Sequence, residues 1–284
     1  MFPQKRSLPP CRIISINFLH ALHHPSGGPM LIILAPSKKQ TYPNCPNLVS
    51  TCPEFLQEAG QLNQILRAKT EKEIALLMKT SKILTENTLR DIRAFNGSEG
   101  RGFPAIFTFK GDAYDGIKAE DWNQEQMFYA QQHLRILSGL YGILRPLDLM
   151  QKHRLEMGLK LATHSGTQMY QFWGEKITDT INRQLDKGER CLINLSSTEY
   201  SRVIQKKKLD GRMIDIIFRQ IKDGRARTIP IYAKRARGAM ANFMVQEKIR
   251  DSEKLKNFSS EGYRFLPGES SEDSWVFSCT LNKK

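Results

Sequence analysis

The chain has 284 residues, 40% of them hydrophobic, so it can bury a sizeable core as one large domain or two small ones. Its formal net charge of +14 indicates either a polyanionic partner or simply a basic, soluble surface. The five cysteines are scattered and form no C-x-x-C pair, which indicates a reduced, cytoplasmic protein. No window approaches the roughly 18 to 20 consecutive apolar residues of a membrane span, so no membrane association is predicted.

The first 29 residues show no apolar periodicity. Lys5 and Arg6 precede a short apolar run that imitates a signal peptide, but no A-x-A-like cleavage site follows it. At Met30 the sequence passes directly into the buried-strand pattern MLIILAP. We therefore expect an N-terminal extension over residues 1–29, disordered or upstream of the true start, and one domain over residues 30–284.

Strands and helices alternate along the chain without a regular βαβ repeat, which favours an α+β fold: a single domain with a mixed sheet and surrounding helices. The apolar and turn patterns predict strands at residues 31–34, 105–109, 191–195, 213–218 and 228–232, and two short strands near Tyr263 and Val276. They predict helices over most of residues 54–94 and at about residues 121–137, 175–185 and 234–250.

The segment LSGLYGILRPLDLM, residues 137–150, has two glycines three residues apart. A helix-hairpin-helix uses such a G-h-x-G turn, here residues 139–142, to let backbone amides approach a nucleic-acid phosphate. Arg135 and Arg145 would then supply positive charge. The alternative is an ordinary helix connection, in which a glycine ends one helix and Pro146 lies in the first turn of the next.

Basic residues gather late in the sequence, within residues 206–208, 225–227 and 232–250. At 100° per residue, the last segment forms an amphipathic helix with Lys234 and Arg237 opposite its apolar face. One interpretation is a solvated outer surface, and the other is contact with phosphates. Because few aromatic residues are interleaved with the basic ones, binding to a duplex backbone fits better than stacking of single-stranded bases.

Polar residues near predicted strand ends support a second hypothesis, an enzyme of unknown reaction. If they converge, they form a cleft with acid, base and anion-binding groups. The candidates are Lys38, Asp112, Glu199, Tyr232 and Glu261. Turn formation explains Asp112 equally well, and Ser196 with Glu199 has the S-x-x-E spacing of a helix capping box.

Other classes of site have no support in the sequence. There is no P-loop and no G-x-G-x-x-G motif, and the histidines show no metal-ligand spacing. No metal site and no cofactor are therefore predicted, and direct iron binding by the chain is disfavoured.

Several blocks of the sequence are similar to the YaaA peroxide-stress family of bacterial proteins. They are MLIILAPSK, FKGDAYDGI, AQQHLRILSGLYGILRPLDLMQKHRLEMG, YQFWG, INLSSTEY, YAKRARGAM and SSEGYRF. The long central block is highly specific, and together the blocks span almost all of residues 30–284. The sequence departs from the family at the end of the first strand, where the family's S-P-A-K-T reads A-P-S-K-K and keeps Lys38.

The resemblance implies a cytoplasmic protein that limits damage by unincorporated iron during peroxide stress. It also implies a curved fold with a positively charged concave face, a helix-hairpin-helix over residues 138–145, and binding to the phosphate backbone of duplex DNA. A monomer is favoured. The expected DNA-binding residues are Arg135, Gly139, Leu140, Gly142, Arg145, Lys234, Arg235 and Arg237.

Overall fold

The computed structural model describes residues 30–43, 49–185, 190–222 and 225–281. The extension expected over residues 1–29 lies outside the described residues. None of the described helices is both long and apolar enough to cross a membrane.

The strands are β1 (Met30–Leu34), β2 (Lys39–Gln40), β3 (Phe103–Pro104), β4 (Phe109–Lys110), β5 (Leu134–Ser138), β6 (Gly142–Leu144), β7 (Leu149–Met150), β8 (Cys191–Asn194), β9 (Arg212–Lys222), β10 (Arg225–Arg227), β11 (Arg264–Phe265) and β12 (Ser274–Thr280). The helices are α1 (Leu56–Arg67), α2 (Glu71–Met78), α3 (Lys82–Ala94), α4 (Ala105–Thr108), α5 (Asp112–Ile117), α6 (Gln124–His133), α7 (Met169–Trp173), α8 (Lys176–Gln184), α9 (Thr198–Ser201) and α10 (Pro230–Gln246).

A mostly parallel sheet forms the centre of the molecule, with helices around it. Its strand order is β11-β12-β9-β8-β1-β5-β6, and β10 pairs with β9. The five inner strands, from β12 to β5, run parallel, whereas β6, β10 and β11 pair antiparallel to their neighbours. Strands β1 and β8 are completely buried, which explains why their sequences, MLIIL and CLIN, are nearly continuous apolar runs.

Helix α10 packs closely on α5, and two glycines permit this approach. A Cβ on Gly238 would overlap the carbonyl group of Ala113, and one on Gly116 would lie 2.9 Å from the amide nitrogen of Ala239. Helix α5 begins directly after Gly111, which faces the Ser37 hydroxyl in the segment that leaves β1. Helix α5 therefore starts beside the carboxyl end of β1, and α10 packs against it.

Three predicted elements are wrong. In the strand predicted at residues 105–109, residues 105–108 form helix α4, in which the Thr108 hydroxyl donates to the Pro104 carbonyl, and only Phe109 is in a strand, β4. The helix predicted over residues 121–137 ends at His133, and strand β5 follows it without a loop. The strand predicted at residues 228–232 instead contains the start of α10 at Pro230, because proline is well suited to the first turn of a helix.

The expected helix-hairpin-helix is also wrong for this segment. Residues 139–141 connect the antiparallel strands β5 and β6, so they form the turn of a β-hairpin. The G-h-x-G spacing and the family resemblance led to the helical interpretation, but every residue of β5 and β6 is buried, so pairing within the sheet determines the structure.

Candidate functional site

The carboxyl ends of β1, β5 and β8 lie at one edge of the sheet, because these three strands run parallel. Ligands of sheets with parallel strands commonly bind outside such an edge. The segment 35–38 leaves β1 there, the β-hairpin turn leaves β5, and the segment 195–199 leaves β8. These segments place the polar residues of the candidate site.

Three charged side chains meet beside this edge: Lys38, Arg154 and Glu156, here called the Glu156 cluster. Glu156 Oε1 lies 3.1 Å from Lys38 Nζ and 3.2 Å from Arg154 Nη2. The Glu156 side chain is 10% exposed, whereas that of Lys38 is 67% exposed. Lys38 was predicted as a site residue, but Arg154 and Glu156 were not, although both lie in the long central block that is similar to the YaaA family.

Two atoms of the Glu156 cluster have no hydrogen-bond partner among the described residues. They are the acceptor Glu156 Oε2 and the donor Arg154 Nε, and both are buried. Leaving a buried polar group unpaired costs about 1–3 kcal/mol, so such groups commonly belong to sites that a ligand or a water molecule completes. The cluster thus offers one acceptor and one donor to a bound group.

Glu199, another predicted candidate, approaches the same segment of chain. Its Oε1 accepts a hydrogen bond of 3.1 Å from the Gly158 amide. The next residue, Tyr200, is buried, and its pKa is raised by burial and by the nearby carboxylates of Glu199 and Glu156. Lys38 and Glu199 therefore contact the same short segment, since Lys38 pairs with Glu156 and Glu199 bonds the Gly158 amide.

Ser196, in the segment that leaves β8, is held by a polar network. Asn194, the last residue of β8, accepts hydrogen bonds from the amide and the hydroxyl of Ser196 and donates to Asp215. Lys206 pairs with the other oxygen of Asp215 at 3.0 Å. The predicted capping box is wrong, because helix α9 has Ser197 as its N-cap residue and Glu199 bonds to Gly158 instead.

The partly buried His153 lies between the β-hairpin and the Glu156 cluster. His153 Nδ1 donates to the Gln151 carbonyl, so its unprotonated Nε2 accepts the hydroxyl hydrogen of Ser138 at 3.1 Å. Burial lowers the pKa of His153 to about 4, although Glu156 nearby acts in the opposite direction. This histidine is therefore neutral at physiological pH. Ser138 has no exposed surface, so the pair holds the β-hairpin in place.

The other two predicted catalytic residues lie on different elements. Tyr232 is 42% exposed near the start of α10. Glu261 pairs with Arg235 Nε at 2.6 Å. Among the described residues, no hydrogen bond or ion pair joins either of them to the Glu156 cluster. Asp112, the first residue of α5, follows Gly111 and so lies near Ser37.

The predicted hairpin residues are buried within the β-hairpin. Leu140 has 1% of its surface exposed. A Cβ on Gly139 would overlap the Leu155 carbonyl, and one on Gly142 would lie 2.7 Å from the Trp173 ring. The amides of this turn are therefore enclosed by protein, which is incompatible with the close phosphate approach that was expected of them.

The two arginines beside the hairpin also make internal contacts. The guanidinium of Arg135 donates to the carbonyls of Gln131, Gln132 and Leu134, and burial lowers its pKa to about 9. Arg145 pairs with the buried Asp148 at 3.1 Å. Both side chains thus hold protein segments together.

The basic residues of α10 differ sharply in their surroundings. Arg235 is neutralised by Glu261, and Lys234 is exposed without an ion pair to any described residue. Arg237 is partly buried, which lowers its pKa, and its buried Nε has no hydrogen-bond partner within the described structure. Arg225 and Arg227 of β10 are exposed. Lys234 and Arg237, three residues apart, lie on one face of the helix.

Comparison with known proteins shows the family to which this chain belongs. The family model described as peroxide stress protein YaaA matches residues 30–269. A UPF0246 protein of Aliivibrio fischeri is 42% identical over 252 residues, covering 87% of this chain and 97% of its own. UPF0246 proteins of Acaryochloris marina and Azoarcus sp. are 41% and 43% identical over 87% of this chain, and over 99% and 98% of their own. The chain therefore belongs to the YaaA family of peroxide stress proteins.

Proposed function

We propose that this protein acts in the cytoplasm during peroxide stress by binding the phosphate backbone of duplex DNA through the basic face of α10. Membership of the YaaA family supports the role in peroxide stress. The observation that carries the DNA contact is Arg237, whose partly buried guanidinium has no counterion among the described residues.

A partly buried cation without a partner is unfavourable, since its desolvation is not offset by an ion pair. A phosphate removes this cost and matches the planar donors of a guanidinium. Lys234, one turn earlier, is exposed and free to contact a second phosphate. The two residues thus supply adjacent contacts to a backbone.

The start of α10 adds further attraction for an anion. The N-terminal end of a helix carries partial positive charge and amide groups without intrahelical partners. Arg225 and Arg227 precede this end on the exposed strand β10. Ile231 and Tyr232, 57% and 42% exposed, lie among these cations and add apolar contact area.

Binding of this kind would also reduce the damage that iron does to DNA. Lys and Arg that neutralise phosphates release the cations condensed on DNA. Fe²⁺ held at the backbone is one such cation, so occupied DNA carries less iron. In this proposal, the protein limits damage without an iron site of its own.

The test is a salt titration of duplex binding by the full chain. The slope of log affinity against log salt is negative, and we expect its magnitude to decrease by about 0.9 when Arg237→Gln or Lys234→Gln removes one phosphate contact. Lys254→Gln removes an exposed charge from the part of the chain that follows α10 and is the matched control. Salt-insensitive binding, or no binding to duplex DNA, would contradict the proposal.

A second candidate function is an enzyme with its active site at the edge of the sheet. It is favoured by one observation, the approach of Lys38 and Glu199 to the same segment, residues 156–158. In this enzyme hypothesis Asp112 lies near the active site, whereas Tyr232 and Glu261 do not belong to it. Product analysis after incubation with nucleotides and oligonucleotides tests it, and unchanged substrates with the full chain would exclude turnover of these classes.

A further inference from the structure

The carboxylate of Glu261 neutralises one cation of helix α10. Glu261 Oε1 lies 2.6 Å from Nε of Arg235, whose side chain is 60% exposed. Helix α10 itself contains no aspartate or glutamate. Within the described ranges of the chain, Glu261 is the one carboxylate that forms an ion pair with a cation of α10. The negative charge beside this helix therefore comes from a separate turn, residues 259–263.

The turn holds Glu261 in a conformation that its backbone disfavours. Glu261 has φ +55° and ψ +26°, in the left-handed region that suits glycine, and Gly262 follows with φ +78°. Phe258 and Tyr263, on either side of the turn, are each only 1% exposed. The Tyr263 hydroxyl accepts a hydrogen bond of 2.7 Å from Gln220. Packing of the flanking residues thus fixes the carboxylate beside α10.

The ion pair lies beside the residues that are proposed to meet DNA. Lys234 and Arg235 follow Ile231 by three and four residues, so both border this exposed side chain on the helix surface. A phosphate near Lys234 is therefore also near Arg235, where it competes with a carboxylate of the same sign. An ion pair this exposed contributes little to folding stability, so its main effect is on the charge that α10 presents.

We propose that Glu261 is an autoinhibitory residue, which lowers the affinity of the basic face of α10 for duplex DNA by occupying Arg235. The inference rests on the proposed DNA binding by α10. In the wild type Arg235 and Glu261 together carry no net charge, so Lys234 and Arg237 make the phosphate contacts. Without the carboxylate, Arg235 supplies a third contact.

The test is duplex binding by the full chain, measured by fluorescence anisotropy at several salt concentrations. Glu261→Gln should tighten binding by about tenfold at low salt and increase the magnitude of the negative salt slope by about 0.9, because Arg235 gains a phosphate. Glu261→Gly also lacks the carboxylate and suits the left-handed backbone, so it should bind as Glu261→Gln does. Circular dichroism confirms that each variant is folded.

Two further variants assign the effect to the ion pair. In the double variant Arg235→Gln with Glu261→Gln, the gain in affinity should disappear, since no cation is released; the double-mutant cycle isolates the contribution of this pair. Glu125→Gln is the matched control. Its exposed carboxylate pairs with Lys248, which lies beyond the C-terminal end of α10. This variant should keep the affinity and the salt slope of the wild type.

The outcomes separate this inference from the proposed function. Equal, salt-dependent duplex affinity in wild type and Glu261→Gln would overturn the autoinhibitory contact and leave DNA binding by α10 in place. A gain that persists in the double variant would also overturn it, because the carboxylate would then repel DNA without acting through Arg235. Absence of duplex binding by the wild type and by every variant would overturn both proposals.

Discussion

Gly139 and Gly142 have neighbours in the space where a side chain would lie. The Leu155 carbonyl occupies it at Gly139, and the Trp173 ring occupies it at Gly142. The indole nitrogen of Trp173 also donates to the Gly139 carbonyl at 3.0 Å. Packing inside the protein therefore explains the glycine spacing that first indicated a nucleic-acid hairpin.

Gly142→Val is expected to lower the stability of the protein. Gly142 has φ +69°, a conformation that side chains disfavour, and a Cβ would lie 2.7 Å from the Trp173 ring. We expect the free energy of unfolding to fall by about 2–4 kcal/mol, measured by urea denaturation.

Gly60→Ala is the control for this substitution. Gly60 lies within helix α1, and no atom lies within 4 Å of a Cβ placed there. Alanine should therefore stabilise the protein by about 0.5–1 kcal/mol. If Gly142→Val unfolds at the same urea concentration as the wild type, the Trp173 contact does not constrain the hairpin.

At the scale of elements, helix α6 passes directly into strand β5. The last carbonyls of a helix have no intrahelical partner, and the guanidinium of Arg135, one residue into β5, bonds those of Gln131 and Gln132. Gln184 Oε1 of α8 accepts from its Nε at 2.7 Å. One buried side chain thus joins a helix end, a strand and a second helix.

Arg135→Met should consequently lower the free energy of unfolding by about 2–4 kcal/mol, because it leaves several buried carbonyls unpaired. Thermal and urea denaturation measure this loss. Arg93→Met, at an exposed position near the end of α3, should change stability by less than about 0.5 kcal/mol. The affinity of folded Arg135→Met for duplex DNA should equal that of the wild type. A lower affinity of the folded variant would show that Arg135 contacts DNA.

Local pattern predicted some elements well. Strands β1, β8 and β9 were expected because their runs are strongly apolar, and helices α1–α3 follow periodic segments. Residues 105–109 have strand-forming side chains, yet tertiary packing places the first four of them in helix α4. The Glu156 cluster was beyond such reasoning, since Lys38 and Glu156 meet only when distant segments of the chain come together at the sheet edge.

At the scale of the whole molecule, two histidines with lowered pKa values make the stability of the fold depend on pH. Burial lowers the pKa of His133 and of His153 to about 4, whereas an unfolded histidine titrates near 6.5. Between these values the unfolded chain binds protons that the folded protein excludes, so acidification favours unfolding. Stability supported by the neutral rings is complete above pH 6.5 and decreases as the pH falls towards 4.

His133→Asn should reduce this dependence. The asparagine amide can replace Nδ1 as the donor to the Met30 carbonyl, which His133 bonds at 2.8 Å. We expect the slope of unfolding free energy against pH between 4 and 6.5 to decrease by up to about 1.4 kcal/mol per pH unit. Urea titrations across this range measure it, and parallel profiles for variant and wild type would contradict it.

The position of β1 inside the sheet has a consequence for synthesis. Its two neighbours are β5 and β8, so both edges of MLIIL are paired only after Asn194 has been made. At roughly 5–20 residues per second, translation takes on the order of ten seconds to bring β8 to this strand. During that interval a strongly apolar strand has an open edge, which exposes the nascent chain to aggregation.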